Sequence, residues 1–272
     1  MQSSLVKVSL EIYGIQPDPA VLLHHSSATL EDLTVYGATF QSELQFPRVR
    51  KLSLHRVDYP PLALVARIFP SLVDLTFSNS HRGDDLRVAD CQYRQLNRSV
   101  QLAGGGWTSL DRLAGEPVDL YRLGLTCQIR RVEISHVDRD TRETVAHILS
   151  DSRPSHVHIR LTSIFPCVRC FPDEVAARLT YLRCTIDLVY LFEEFDTLFN
   201  VDGRNTRSVM FIQQFRPESF ASQVIASHPS IRYIAIQINH AKPLFWKVLT
   251  MESGEVVVGK ASKEDISAVM EL

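Results

Sequence analysis

FPRVRKLSL, Phe46 to Leu54, carries apolar residues at Val49, Leu52 and Leu54, the spacing LxxLxL. The alternation at its end predicts a short strand with one buried face. The Phe-Pro dipeptide ahead of it predicts a stop before that strand, because proline has no amide donor and holds the preceding residue extended. FPSLVDLTF, Phe69 to Phe77, repeats both features, with Leu72, Leu75 and Phe77 on the same grid. With the second apolar position as register mark, the pattern returns at Val8, Leu33, Leu52, Leu75, Leu113, Val132, Ile159, Leu182, Val209 and Ile234. The intervals are 19 to 27 residues, apart from one of 38 between Leu75 and Leu113. Pro47, Pro70, Pro154 and Pro229 each stand five residues before a mark.

Between the marks the period becomes helical. Leu188, Leu191, Phe192, Phe195 and Phe199 form one apolar stripe, and Asp140 with Glu143 makes a capping box ahead of Val145, Ile148 and Leu149. A strand followed by a helical return at this period predicts an α/β fold, a leucine-rich-repeat solenoid. Such a solenoid is curved, with parallel strands on the concave face and helices or irregular segments on the convex face. Residues 1–272 are expected to form a single leucine-rich-repeat domain of about ten irregular repeats. The polar stretch 79–106, ending in three glycines, reads as an insertion acting as a flexible joint. Residues 244–272 read as a C-terminal cap, with a hairpin turning at Glu252 to Glu255 and a short helix starting between Ser262 and Asp265. Gly115 departs from the pattern, since glycine fills no core volume. The asparagine expected five residues after each mark stands only at Asn239, which predicts irregular turns.

Hydrophobic residues make up 45% of the 272, and charged residues 22%, a composition that builds a continuous core and excludes disorder. The formal net charge of −2 offers no general attraction to nucleic acid or to an anionic membrane. No apolar run approaches the roughly 18 residues of a membrane helix, and the first residues lack the core of a signal peptide. Five cysteines, an odd number set among apolar neighbours, suit a reducing interior, so the expected location is intracellular, cytoplasmic or nuclear.

Cys167 and Cys170 have the CxxC spacing of half a zinc site, with His156 and His158 upstream. Zinc needs four convergent ligands. The register turns His156 toward the core and His158 toward the concave face, so neither a metal nor a cofactor is expected. Gly104 to Gly106 are followed by Trp107-Thr108 rather than by the lysine and hydroxyl residue of a phosphate loop. No GxSxG or HExxH motif is present, no catalytic residue emerges, and no enzyme is expected. Trp107 and Trp246 stand among apolar repeat residues and read as core or cap.

Side chains flanking each mark point away from the core. The row before the mark presents Arg112, Arg131 and His158, and the row after it Arg160 and Arg183, which predicts a basic centre to the concave face. Lys7, Asp32, Lys51 and Asp74 alternate in sign at one end, while Met210, Ile212 and Ala235 make the other apolar. WTSLDRLAGEPVDLYRLGLTCQIRRVEI, Trp107 to Ile134, together with the repeated FPxL segments, resembles the leucine-rich-repeat region of F-box-like proteins of the fungal type. The resemblance implies a substrate-recognition solenoid of a ubiquitin ligase. No F-box precedes the first repeat, so contact with a ligase adaptor is implied only if an upstream F-box lies outside this chain. The leading expectation is a non-enzymatic protein-interaction scaffold whose concave face, at Arg112, Arg131, His158, Arg160 and Arg183, binds an acidic or phosphorylated protein partner, with no role for nucleic acid or membrane. The competing expectation is a metal or redox protein using Cys167 and Cys170. A third is a truncated paralogue without a partner.

Overall fold

A computed structural model describes residues 5–11, 17–57, 61–79, 88–162, 171–187, 216–239, 241–250, 256–262 and 264–265. Its strands form one open eleven-stranded sheet in chain order, parallel in most pairs and antiparallel at the C-terminal end. The chain divides into two compact units, Met1–Glu133 with His147–Arg153, and Ile134–Ala146 with Pro154–Leu272. The expected mark Val209, the apolar residues Met210 and Ile212, the stripe Leu188 to Phe199, the pair Cys167 and Cys170 and the turn Glu252 to Glu255 lie outside the described residues. Among the described residues no helix is long and apolar enough to cross a membrane.

In the first unit β1 (Lys7–Glu11), β2 (Asp32–Tyr36), β3 (Lys51–His55), β4 (Asp74–Ser78) and β5 (Ser109–Gly115) pair in the register that the marks define: Val8, Leu33, Leu52, Leu75 and Leu113 are successive partners. Leu33, Leu52, Leu75 and Leu113 are buried, and so are Val35, Leu54 and Phe77 two residues on. The Phe-Pro turns work as expected. Phe46 and Phe69 are buried and their carbonyls accept from Val49 N (3.2 Å) and Leu72 N (3.3 Å), with Pro47 and Pro70 at the exposed second turn position. The exits of β2 and β3 repeat one another and use no asparagine. Gly37 and Arg56 take left-handed backbone angles (φ 69° and 52°), and each donates its amide, at 2.9 Å, to the last residue of the next strand, His55 and Ser78.

Two short helices, α1 (Pro19–Leu23) and α2 (Leu62–Ile68), are followed by a long one, α3 (Val88–Leu102). Part of the stretch expected as a flexible joint is therefore a helix of 15 residues. It is held mainly by polar groups. Beside it runs α4 (Pro117–Leu123), whose last carbonyls, like those of any helix, lack partners within the helix. Arg94 donates to Tyr121 O (3.0 Å), Asn97 to Arg122 O (3.2 Å) and Gln101 to Gly124 O (2.9 Å), a helical spacing of polar side chains. Arg94 and Arg98 also ion-pair with Asp151. The three glycines end α3: Gly104 is left-handed (φ 88°), and a Cβ on Gly105 would meet Val100 Cγ1 at 2.7 Å.

β6 (Gln128–Val137) and α5 (Arg142–Ser152) follow, and the boundary between the units falls within each. Val145, Ile148 and Leu149 are buried as expected. The bonds seen just ahead of the helix come from reciprocal contacts between Asp138 and Thr141 (2.8 and 3.0 Å) instead of Asp140 and Glu143.

The second unit contains β7 (His156–Leu161), α6 (Asp173–Ala176), β8 (Tyr181–Ile186), α7 (Pro217–Ser227), β9 (Tyr233–Ile238), β10 (Leu244–Thr250) and β11 (Val256–Lys260). Leu182 pairs directly with Ile234. Its partner on β7 is Val157, two residues before the mark assigned by sequence. A shift of two keeps every side chain on its own face but moves it by one row. β10 and β11 form the expected antiparallel pair, and Ser262 and Asp265 exchange amide bonds of 3.1 Å as a capping box does. Trp107 and Trp246 are both buried, Trp107 donating to Phe69 O at 2.9 Å.

Candidate functional site

The side chains that alternate with the buried ones form the open face of the sheet. In the first unit its leading row runs Lys7, Asp32, Lys51, Asp74, Arg112 in direct register, so opposite charges face each other at every step. Lys7 lies 2.9 Å from Asp32. Arg112 donates to Asp74 (2.9 Å), and through Nε and Nη2 to both carboxylate oxygens of Glu133 (2.9 and 2.7 Å). The hydrogen bonds to Glu133, opposed by burial and supported by the two carboxylate charges, raise the Arg112 pKa above its usual value. The second row is Ser9, Thr34, Ser53, Thr76, and the third begins Glu11, Tyr36, His55, Ser78. Tyr36 and His55 stack at 4.5 Å, and burial lowers the His55 pKa.

The structure thus places Arg112 in the expected row but commits it to carboxylates of its own unit. Arg131 is half-buried; its Nη2 is 3.9 Å from Asp111, to which Arg130 makes the closer contact of 2.6 Å.

In the second unit the register shift rearranges the expected site. The first row of the open face is His156, Tyr181, Tyr233, Lys247. The second is His158, Arg183, Ala235, Phe245, and the third Arg160, Thr185, Gln237. His156, expected in the core, is half-exposed opposite Tyr181, with ring centroids 5.8 Å apart. His158 and Arg183 are side by side, whereas Arg160 sits one row beyond. His158 bonds Thr185 Oγ1 (2.9 Å) and Arg183 donates to Gln237 Oε1 (2.7 Å). Arg160 is exposed and has no side-chain hydrogen bond or ion pair among the described residues. Ala235, expected to add apolar surface, is fully buried beneath its neighbours.

The five expected site residues therefore fall into two groups, Arg112 and Arg131 in the first unit and His158, Arg160 and Arg183 in the second. Sequence reasoning missed Tyr181 and Tyr233. The signal was present, since each stands one residue before a mark in repeats whose marks pair directly. Arginine forks beside aromatic rings suit a carboxylate or phosphate carried on a partner with apolar surface. Among the described residues no group of three or more His, Cys, Asp or Glu could hold a metal ion. No family model, curated protein or solved structure matches the chain.

Proposed function

We propose that this chain is a non-enzymatic protein-interaction module, a leucine-rich-repeat solenoid that binds an acidic or phosphorylated segment of a partner protein. The observation that supports it is the open face of the second unit, where His158, Arg160 and Arg183 sit in adjacent rows beside Tyr181 and Tyr233. The repeated register supports the solenoid reading: successive marks are partners across β1 to β5, and again across β8 and β9. A stable fold gains nothing from an exposed, unpaired arginine, whereas a partner carboxylate or phosphate gains two charge-assisted hydrogen bonds from it. On the resemblance to F-box-like proteins, the partner is a protein marked for ubiquitylation.

Affinity capture from the native cell, read by mass spectrometry, tests this with the double substitution Arg160→Glu and Arg183→Glu. The wild-type chain should enrich a partner whose recovery falls on phosphatase treatment or on deletion of an acidic segment. The double variant should lose that partner by about ten-fold or more, as expected when charge-assisted bonds are removed, with an unchanged melting temperature. Equal recovery by the two proteins would reduce the basic rows to solvated surface.

A further inference from the structure

The second unit also contains a groove of about 540 Å³, where the turn Ala177–Thr180 ahead of β8, the turn Pro229–Arg232 ahead of β9, and Lys247 with Val248 on β10 come together. Its walls are braced. Thr180 Oγ1 donates to Ser155 O (3.1 Å) and Ser230 Oγ to Leu179 O (2.9 Å). Arg232 and Tyr233 both donate their amides to Thr180 O (2.9 and 3.2 Å). The hydroxyl groups of Thr180 and Ser230 are thus spent on holding its shape.

Arg178, Arg232 and Lys247 line this groove, and among the described residues no carboxylate lines it. Lys247 pairs with Asp265 at 2.6 Å. Arg178 and Arg232 are exposed, and among the described residues neither side chain has a hydrogen bond or ion pair. In a protein of net charge −2, gathering three cations from three elements around one concavity with, among the described residues, a single carboxylate to answer them works against stability. A bound dianion removes that opposition. Two guanidinium forks and an ammonium supply more donors than one carboxylate can accept, and they match the three terminal oxygens of a phosphate.

We propose that this groove is a binding site for a phosphomonoester dianion, with Arg178 and Arg232 as its principal ligands and Lys247 as a third. Its ligands Arg178 and Arg232 lie outside the Arg160 and Arg183 rows, and Tyr233 borders both the groove and the interaction face, so the two sites are separated by their arginines.

Calorimetric titration of the full chain at low ionic strength tests the proposal, using inorganic phosphate, a phosphoserine peptide, and the same peptide with unmodified serine. The wild-type protein should bind at least one of the phosphorylated probes and ignore the unmodified peptide. Saturation by inorganic phosphate would identify free phosphate as a sufficient ligand, and binding of the peptide alone would identify a phosphorylated side chain. Arg178→Gln with Arg232→Gln should weaken binding by about ten-fold or more, while Arg139→Gln, at an exposed position outside both the groove and the Arg160 and Arg183 rows, should leave it unchanged. Arg232→Gln alone serves if the double variant is poorly folded, and should show a smaller loss. Absence of phosphate-dependent binding by the wild type, or equal binding by the groove variants, would overturn the assignment.

Discussion

A methyl group at Gly115 would run into the carbonyl oxygen of Phe77 on the neighbouring strand and lie 2.8 Å from Leu120 Cδ2. The residue that looks like a gap in the repeat is where β4, β5 and α4 approach too closely for any side chain. Gly115→Ala should therefore destabilise the protein by about 1–3 kcal/mol, seen as a lower urea midpoint at unchanged slope, since backbone cannot yield as a side chain can. The arginines of the open face separate in the same way. Arg112→Met strands Asp74 and Glu133 without their shared cation and should cost about 1.5–3 kcal/mol. Arg160→Met should stay within about 0.5 kcal/mol in the same assay, because Arg160 answers to no group among the described residues. Composition marked all of these residues as basic. Their division into committed and uncommitted was beyond sequence, because it depends on which carboxylate sits across the sheet.

Among the elements, β3 and β4 were legible because an alternating apolar pattern and a proline turn agreed on one register. β7 shows what happens when they disagree: Pro154 stands five residues before Ile159 but three before Val157, and the sheet follows Val157. Helix α3 escaped for a different reason. Its sequence periodicity lies in Arg94, Asn97 and Gln101, which anchor it to backbone carbonyls, and a search for apolar stripes passes over such a helix. The edge element β1 carries its own prediction. Among the described residues no strand pairs with its outer side, its inward residues Val8 and Leu10 are only half-buried, and Leu5, Val6, Val21 and Leu22 are exposed. An open strand beside exposed apolar residues recruits another chain. Light scattering after size-exclusion chromatography should show mass rising with concentration, and Val21→Lys with Leu22→Lys should suppress that rise. A constant monomer mass in both proteins would show that this end is already satisfied.

For the molecule as a whole, the α/β class and the ordered parallel pairing were readable from a period. The candidate site was readable only in part, since which side chains stand next to one another depends on register rather than on period. The same distinction bears on which changes of length the chain can absorb. In the first unit the spacings between paired marks are 25, 19, 23 and 38 residues, yet the pairing never slips. Connections contribute only loop-closure entropy, which grows slowly with length, whereas one residue added inside a strand turns its apolar set outward. Insertions and deletions in descendants of this sequence would then accumulate in a comb, dense between the strands and absent within them. New surface can be added on one side of the sheet without moving a single residue of the rows on the other.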